Sequence, residues 1–155
     1  MAEALFYHLT VRSMEQTLPE LLERTLARGW RAVVRCGDAG RMEALDTHLW
    51  TYRDESFLPH ARAGCAEPAR QPVYLTTGDE VPNGAETLFL VDAADTPDFA
   101  AFERVVILFA GDGEAQGGFV VARAQWKRAA GAVKATYWQQ DGRRWVKARE
   151  SAPAS

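Results

Sequence analysis

Apolar residues fall along this chain in two rhythms: short continuous runs, and longer stretches where they recur every three or four positions. Continuous runs fit strands buried on both faces, and the longer spacing fits one face of a helix. Leu5-Phe6-Tyr7-His8-Leu9 opens the chain as a strand. Ser13, with Gln16 three residues on, has the reciprocal pattern that caps a helix. Leu18, Leu21, Leu22, Thr25 and Leu26 then share one face until Gly29 ends the helix. Pro19 has no N–H to donate, which predicts an irregular first turn. Trp30 to Cys36 reads as a second strand, and Gly37-Asp38-Ala39-Gly40 turns the chain into a helix with Met42, Leu45 and Leu49 on one face and Trp50 at its end.

The stretch from Thr51 to Pro72 carries Pro59, Pro68 and Pro72 without a period, and it predicts an irregular segment whose course over 61–72 stays open. Val73-Tyr74-Leu75 is a short strand, and Glu86 to Val91 is another after the Pro82-Asn83-Gly84 turn. Asp95 or Thr96 caps a brief helical turn through Phe99 and Phe102, and Arg104 to Phe109 is the most apolar strand. A helix from about Glu114 to Ala130 follows, ended by Gly131, and Val133 to Gln140 pairs with Arg144 to Ala148 as a hairpin around Asp141-Gly142. Alternating strands and helices predict a layered α/β domain with a largely parallel sheet. Its expected extent is residues 1–150, with 151–155 a frayed tail.

Composition narrows the function classes. Eighteen Lys and Arg against 21 Asp and Glu give a net charge of −3. A protein built to coat nucleic acid needs a basic excess, so any cationic site here is local. Two cysteines, Cys36 and Cys65, make no disulfide framework. The amino terminus lacks a secretory apolar core and no run reaches the roughly 18 apolar residues of a membrane span, so a cytoplasmic protein is expected.

Candidate chemistry is sparse. His8, His48, His60 and the two cysteines show no metal-ligand spacing, and packing is the better reading for all five. No G-x-S-x-G elbow is present, and Gly111-Asp112-Gly113 lacks the Lys-Ser/Thr ending of a phosphate loop. Gly37 to Gly40 follows a strand and opens a helix, where backbone N–H groups can cradle a phosphate. Asp38 adds negative charge there and suits a helix cap better. The sequence thus predicts no catalytic residue, no metal and no cofactor. The alternative is a small nucleotide- or phosphate-ligand-binding enzyme using that turn. Direct single-strand DNA binding by Trp126, Trp138, Trp145 and the basic hairpin is disfavoured by the acidic balance, so little DNA binding is expected of the chain alone.

Two patches break local rules. Trp50 and Phe57-Leu58-Pro59 place apolar area outside regular elements, as interfaces do. On the late helix, Arg123, Trp126 and Lys127 share a face at spacings of three and four, setting two cations beside an aromatic plane. That set suits a carboxylate attached to an apolar side chain, while the plain alternative is a solvated helix end favoured by the helix dipole.

At these patches, Leu45-Asp46-Thr47-His48-Leu49-Trp50, Glu55-Ser56-Phe57-Leu58-Pro59-His60 and Ala122-Arg123-Ala124-Gln125-Trp126-Lys127, together with Leu5-Phe6-Tyr7, resemble the chi subunit of bacterial DNA polymerase III over about residues 4–138. The resemblance implies a three-layer, mostly parallel Rossmann-like α/β fold without a nucleotide, closed here by the C-terminal hairpin. It implies a non-catalytic accessory subunit of DNA replication. Its partners would be the psi subunit of the clamp loader and the acidic carboxyl-terminal tail of single-stranded-DNA-binding protein, which ends in Pro-Phe. Arg123, Trp126 and Lys127 match the tail-binding positions. Trp50, Phe57 and Pro59 match the psi-facing surface, which a repair helicase could share. Trp126 stands where tyrosine is usual. Uncharged Phe119, one turn before Arg123, predicts a pocket less basic than in relatives, and the hairpin Arg143-Arg144-Trp145-Val146-Lys147 carries no role in this reading.

Overall fold

The apolar runs are strands with both faces covered. Along the strand Arg104–Ala110, Val105, Ile107 and Phe109 join one apolar cluster while Val106 and Leu108 join another on the opposite side. This period-two division is what a sheet between two helical layers demands. A computed structural model describes residues 2–9, 13–51, 59–110, 117–141 and 144–151. Its elements are β1 (Glu3–Leu9), α1 (Met14–Ala27), β2 (Ala32–Arg35), α2 (Ala39–Thr51), β3 (Ala61–Arg62), β4 (Val73–Thr76), β5 (Thr87–Leu90), β6 (Arg104–Ala110), α3 (Gly117–Ala130), β7 (Lys134–Asp141) and β8 (Arg144–Ser151). Single 3₁₀ turns occupy Pro68–Arg70 and Phe99–Ala101.

The eight strands form one sheet in the order β3-β4-β2-β5-β6-β1-β7-β8. Every neighbouring pair is parallel except β7 and β8, which run antiparallel as the hairpin. Helices α1 and α2 cover one face; α3 and the Phe99–Ala101 turn cover the other. The expected layered α/β architecture is therefore present. Among the described residues, no helix is long and apolar enough to cross a membrane.

Helix α1 shows how sequence and packing divide the labour. Ser13 Oγ accepts from the Gln16 N–H and Gln16 Oε1 accepts from the Ser13 N–H, completing the cap box. Leu18 and Leu22 are fully buried, each stabilising the fold by roughly 1.5–3 kcal/mol. Pro19 does not disturb the first turn, contrary to expectation: α1 runs continuously from Met14 through it. The missing N–H would have bonded the Glu15 carbonyl, and His48 Nε2 on α2 donates to that carbonyl instead at 2.6 Å. The proline's local fault is repaired by a side chain from the neighbouring helix.

Other departures have equally local causes. Thr51 closes α2, and within the stretch read as irregular Ala61–Arg62 pairs with Tyr74–Leu75 at the sheet edge. The Phe99 turn is capped by Asp98, whose Oδ1 accepts from the Ala100 N–H. Asp95 cannot serve there, because its carboxylate is held by Arg128, Gln125 and the Thr96 N–H. The expected helix start at Glu114 lies outside the described residues, and β8 continues past Ala148 to Ser151, paired with Ala135.

Candidate functional site

Helix α3 sorts its polar residues by face. Gln125, only 1% exposed, donates to the Ala94 carbonyl and to Asp95, and Arg128 reaches Asp95 and the Thr96 carbonyl. These bonds clamp one face of the helix to the loop after β5. Burial pushes the Asp95 carboxyl up, but hydrogen bonds from Gln125, Arg128 and the Thr96 N–H outweigh it and hold the group below its ordinary value. The other face carries Arg123, Trp126, Lys127 and Ala130, which line a groove of about 720 Å³ between α3 and the β7–β8 hairpin. The three α3 residues singled out in the sequence are thus brought together in one depression.

The floor of the groove is aromatic. The Trp126 ring meets Phe6 edge-on at 5.2 Å between centroids and Tyr137 at 6.3 Å, with Phe109 beside them. Beneath, Tyr137 Oη and His8 Nδ1 share a 2.6 Å hydrogen bond, and burial raises the Tyr137 hydroxyl so that it stays protonated. The floor is apolar at its surface and hydrogen-bonded underneath, which fixes its rings in place. Across from α3, the second wall consists of Ala148, Arg149 and Ser151 of β8. The Arg149 guanidinium lies over the Trp126 ring at 5.6 Å. The groove therefore has three cations, Arg123, Lys127 and Arg149, and no acidic residue is among its described lining residues. Sequence reading missed Arg149, Tyr137, Phe6 and Phe109 as lining residues, because only the pairing of β1 with β6 and β7, and of β7 with β8, assembles them.

Such a depression can hold an apolar side chain on the rings while donating charged hydrogen bonds to a carboxylate at its rim. Among the described residues, no group of three or more His, Cys, Asp or Glu side chains is placed to hold a metal.

The second patch is also on the page in part. Trp50, at the end of α2, is 51% exposed and tilts against the His60 ring at 4.4 Å. His60 is buried, with Nε2 3.2 Å from both the backbone and a carboxylate oxygen of Asp46. Pro59 is half-buried beside it, and Phe57 lies outside the described residues. Trp50 and His60 line a shallower, more acidic depression of about 500 Å³ with Glu43, Asp46 and Arg62.

The Gly37–Gly40 turn is arranged as a cap. Asp38 Oδ1 accepts from the Arg41 N–H at 2.8 Å. A Cβ on Gly37 would lie 2.2 Å from the Asp92 carbonyl oxygen, so that carbonyl occupies the space before the turn. Arg41 donates to Asp92 and Glu15, and these bonds push its pKa up. Arg35, at the carboxyl end of β2, donates to the Gly78 and Asp95 carbonyls. Burial, with Asp92 nearby, pushes the Cys36 thiol up to about 12, well away from a reactive thiolate. The mouth where a doubly wound domain binds a phosphate is filled here by acceptors, and its cations are engaged.

Fold and groove together define a doubly wound α/β domain with a cationic, aromatic-floored groove between its last helix and a C-terminal hairpin. Residues 1–135 match the family model described as DNA polymerase III chi subunit, HolC. The chain is 26% identical over 115 residues to the probable DNA polymerase III subunit chi of Rickettsia prowazekii (strain Madrid E), spanning 70% of each protein. It is 33% identical over 94 residues to the DNA polymerase III subunit chi of Pseudomonas aeruginosa (strain PAO1), spanning 60% of this chain and 64% of that one. The chain belongs to the DNA polymerase III chi subunit family, a family of DNA replication.

Proposed function

We propose that this protein is a non-catalytic adaptor of the bacterial replisome, acting in the cytoplasm. One side binds a psi-type subunit of the clamp loader, and the other captures the acidic carboxyl-terminal tail of single-stranded-DNA-binding protein. The observation that carries the reading is the α3–hairpin groove: three cations from two elements over an aromatic floor, in a chain whose net charge is negative. Arg123 offers a forked donor pair to the terminal carboxylate, Trp126 walls the seat of the terminal phenylalanine, and Lys127 draws the tail's aspartates. Rim attraction of this kind raises association rate and makes binding salt-sensitive. The exposed Trp50, with Pro59 and Phe57, is the psi-facing surface, which a repair helicase can share.

Calorimetry with a peptide ending in Asp-Ile-Pro-Phe tests this reading. Wild type binds; Arg123→Ala loses about 2 kcal/mol or more, roughly 30-fold in Kd, while the domain stays folded, as its cooperative unfolding in urea checks. An amidated peptide binds as weakly as the variant. Undiminished binding by Arg123→Ala removes that arginine from the site, and equal affinity for the amidated peptide rejects the carboxylate mechanism.

A further inference from the structure

The family match covers residues 1–135, whereas the groove's second wall is β8, residues 144–151. Its geometry depends on one irregularity. Trp138 pairs with Lys147, but Tyr137 pairs with Arg149, so Ala148 is an extra residue on β8. In a regular ladder, side chains alternate and Arg149 would share the face of Lys147 and Trp145. The bulge inverts that alternation and carries Arg149 to the groove, over Trp126. Glu150, the nearest acid in sequence, is turned away to Lys147 at 3.0 Å and Lys134 at 3.9 Å. Among the described residues, neither Arg149 nor Lys127 has an ion-pair partner, in contrast to Arg128 on the far side of the same helix.

We propose that β8 is the second jaw of the groove and that Arg149 binds an acidic side chain upstream of a peptide's terminal residue, opposite the carboxylate held by Arg123. This inference rests on the peptide-binding reading above. It specifies the ligand further, as an extended acidic segment that lies between helix and hairpin with its terminal aromatic side chain on the rings. A ligand engaging α3 alone would need only its terminal residue, whereas one spanning both walls needs a carboxylate on each side. Cation–π contact with Trp126 holds the guanidinium over the groove in advance, which lowers the ordering cost of binding.

The experiment is a coupling cycle on the full chain, by fluorescence anisotropy with a labelled acidic peptide ending in a free phenylalanine and with its Asp→Asn counterpart. Arg149→Ala weakens the acidic peptide about 5- to 20-fold and flattens the dependence of Kd on salt. Neutralising the peptide's aspartates weakens wild type similarly but adds little in Arg149→Ala. A variant lacking Ala148 removes the bulge yet keeps Arg149 opposite Tyr137 on the groove face, and it retains the preference for the acidic peptide that Arg149→Ala loses. Wild-type affinity and salt dependence in Arg149→Ala, with Arg123→Ala still defective, overturn the second jaw and leave the α3 site standing. Independent, additive losses from Arg149→Ala and from peptide neutralisation overturn the contact with an acidic side chain. Full binding in both Arg123→Ala and Arg149→Ala overturns the groove itself.

Discussion

The α3–hairpin groove and the Gly37–Gly40 turn contain the same kinds of groups, arginines beside a helix, yet the fold puts them to opposite uses. At the turn, Arg41 is engaged by Asp92 and Glu15, Arg35 by backbone carbonyls, and the opening by the Asp92 carbonyl. In the groove, cations from two different elements converge on aromatic rings, with no acid among the described lining residues. A doubly wound fold does not by itself bring a nucleotide site; the site depends on which side chains line an opening. Here the opening proposed to bind has moved from the carboxyl ends of the strands to the far side of the last helix.

The contrast is broken most directly by exchanging its arginines. Arg123→Ala loses the peptide about 30-fold, as above, while Arg41→Ala leaves peptide affinity at the wild-type value. Because its side chain is 38% exposed and its pairs are screened, Arg41→Ala costs under about 1 kcal/mol of stability. Loss of peptide binding in Arg41→Ala would merge the two regions. A larger effect on stability comes from Gly37→Ala, whose Cβ collides with backbone; unfolding in urea should show a loss of about 1–3 kcal/mol with the peptide still bound by the folded fraction. A neutral Gly37→Ala would mean that the turn is open, and a thermal shift with nucleotides would then be expected where none is now.

Smaller still is the repair at Pro19. His48→Ala strands the Glu15 carbonyl and costs about 1 kcal/mol; in a Pro19→Ala background, where a backbone N–H returns to that carbonyl, the same change costs less. Equal costs in both backgrounds would show that His48 acts through packing alone. The smallest effect is in acid. Burial raises the Glu15 carboxyl, but the Arg41 hydrogen bond and charge outweigh it, so Glu15, like Asp95, titrates below its ordinary value. Stability from such depressed groups is complete above the ordinary carboxylate range near pH 4 and is lost as pH falls through their folded values. The urea midpoint of wild type should fall below about pH 4, and Glu15→Gln should flatten that fall; an unchanged slope would detach Glu15 from the turn's network.

Much of the fold was readable because its strands are covered on both sides and therefore appear as unbroken apolar runs. The Ser13–Gln16 box and the spacing of Arg123, Trp126 and Lys127 were readable because each depends on neighbours within one helical turn. The remainder depends on distant partners. Ala61–Arg62 is too short to show a period and is a strand only because β4 lies beside it. Arg149 was hidden for a sharper reason: strict alternation assigns it to the face of Trp145 and Lys147, and one additional residue at Ala148 reverses the assignment. Pro19 looked disruptive because its compensating donor lies 29 residues later in the chain, on α2.

That compensation also sets a height. The imidazole of His48 reaches one particular oxygen, left open by the ring of Pro19, and α2 cannot slide along α1 by a turn without abandoning it. The exposed indole two residues further on is therefore stationed by a hydrogen atom that a different helix does not possess. Repacking of α1 would be felt at the molecule's outer surface, as a displaced Trp50, before it was felt in the core.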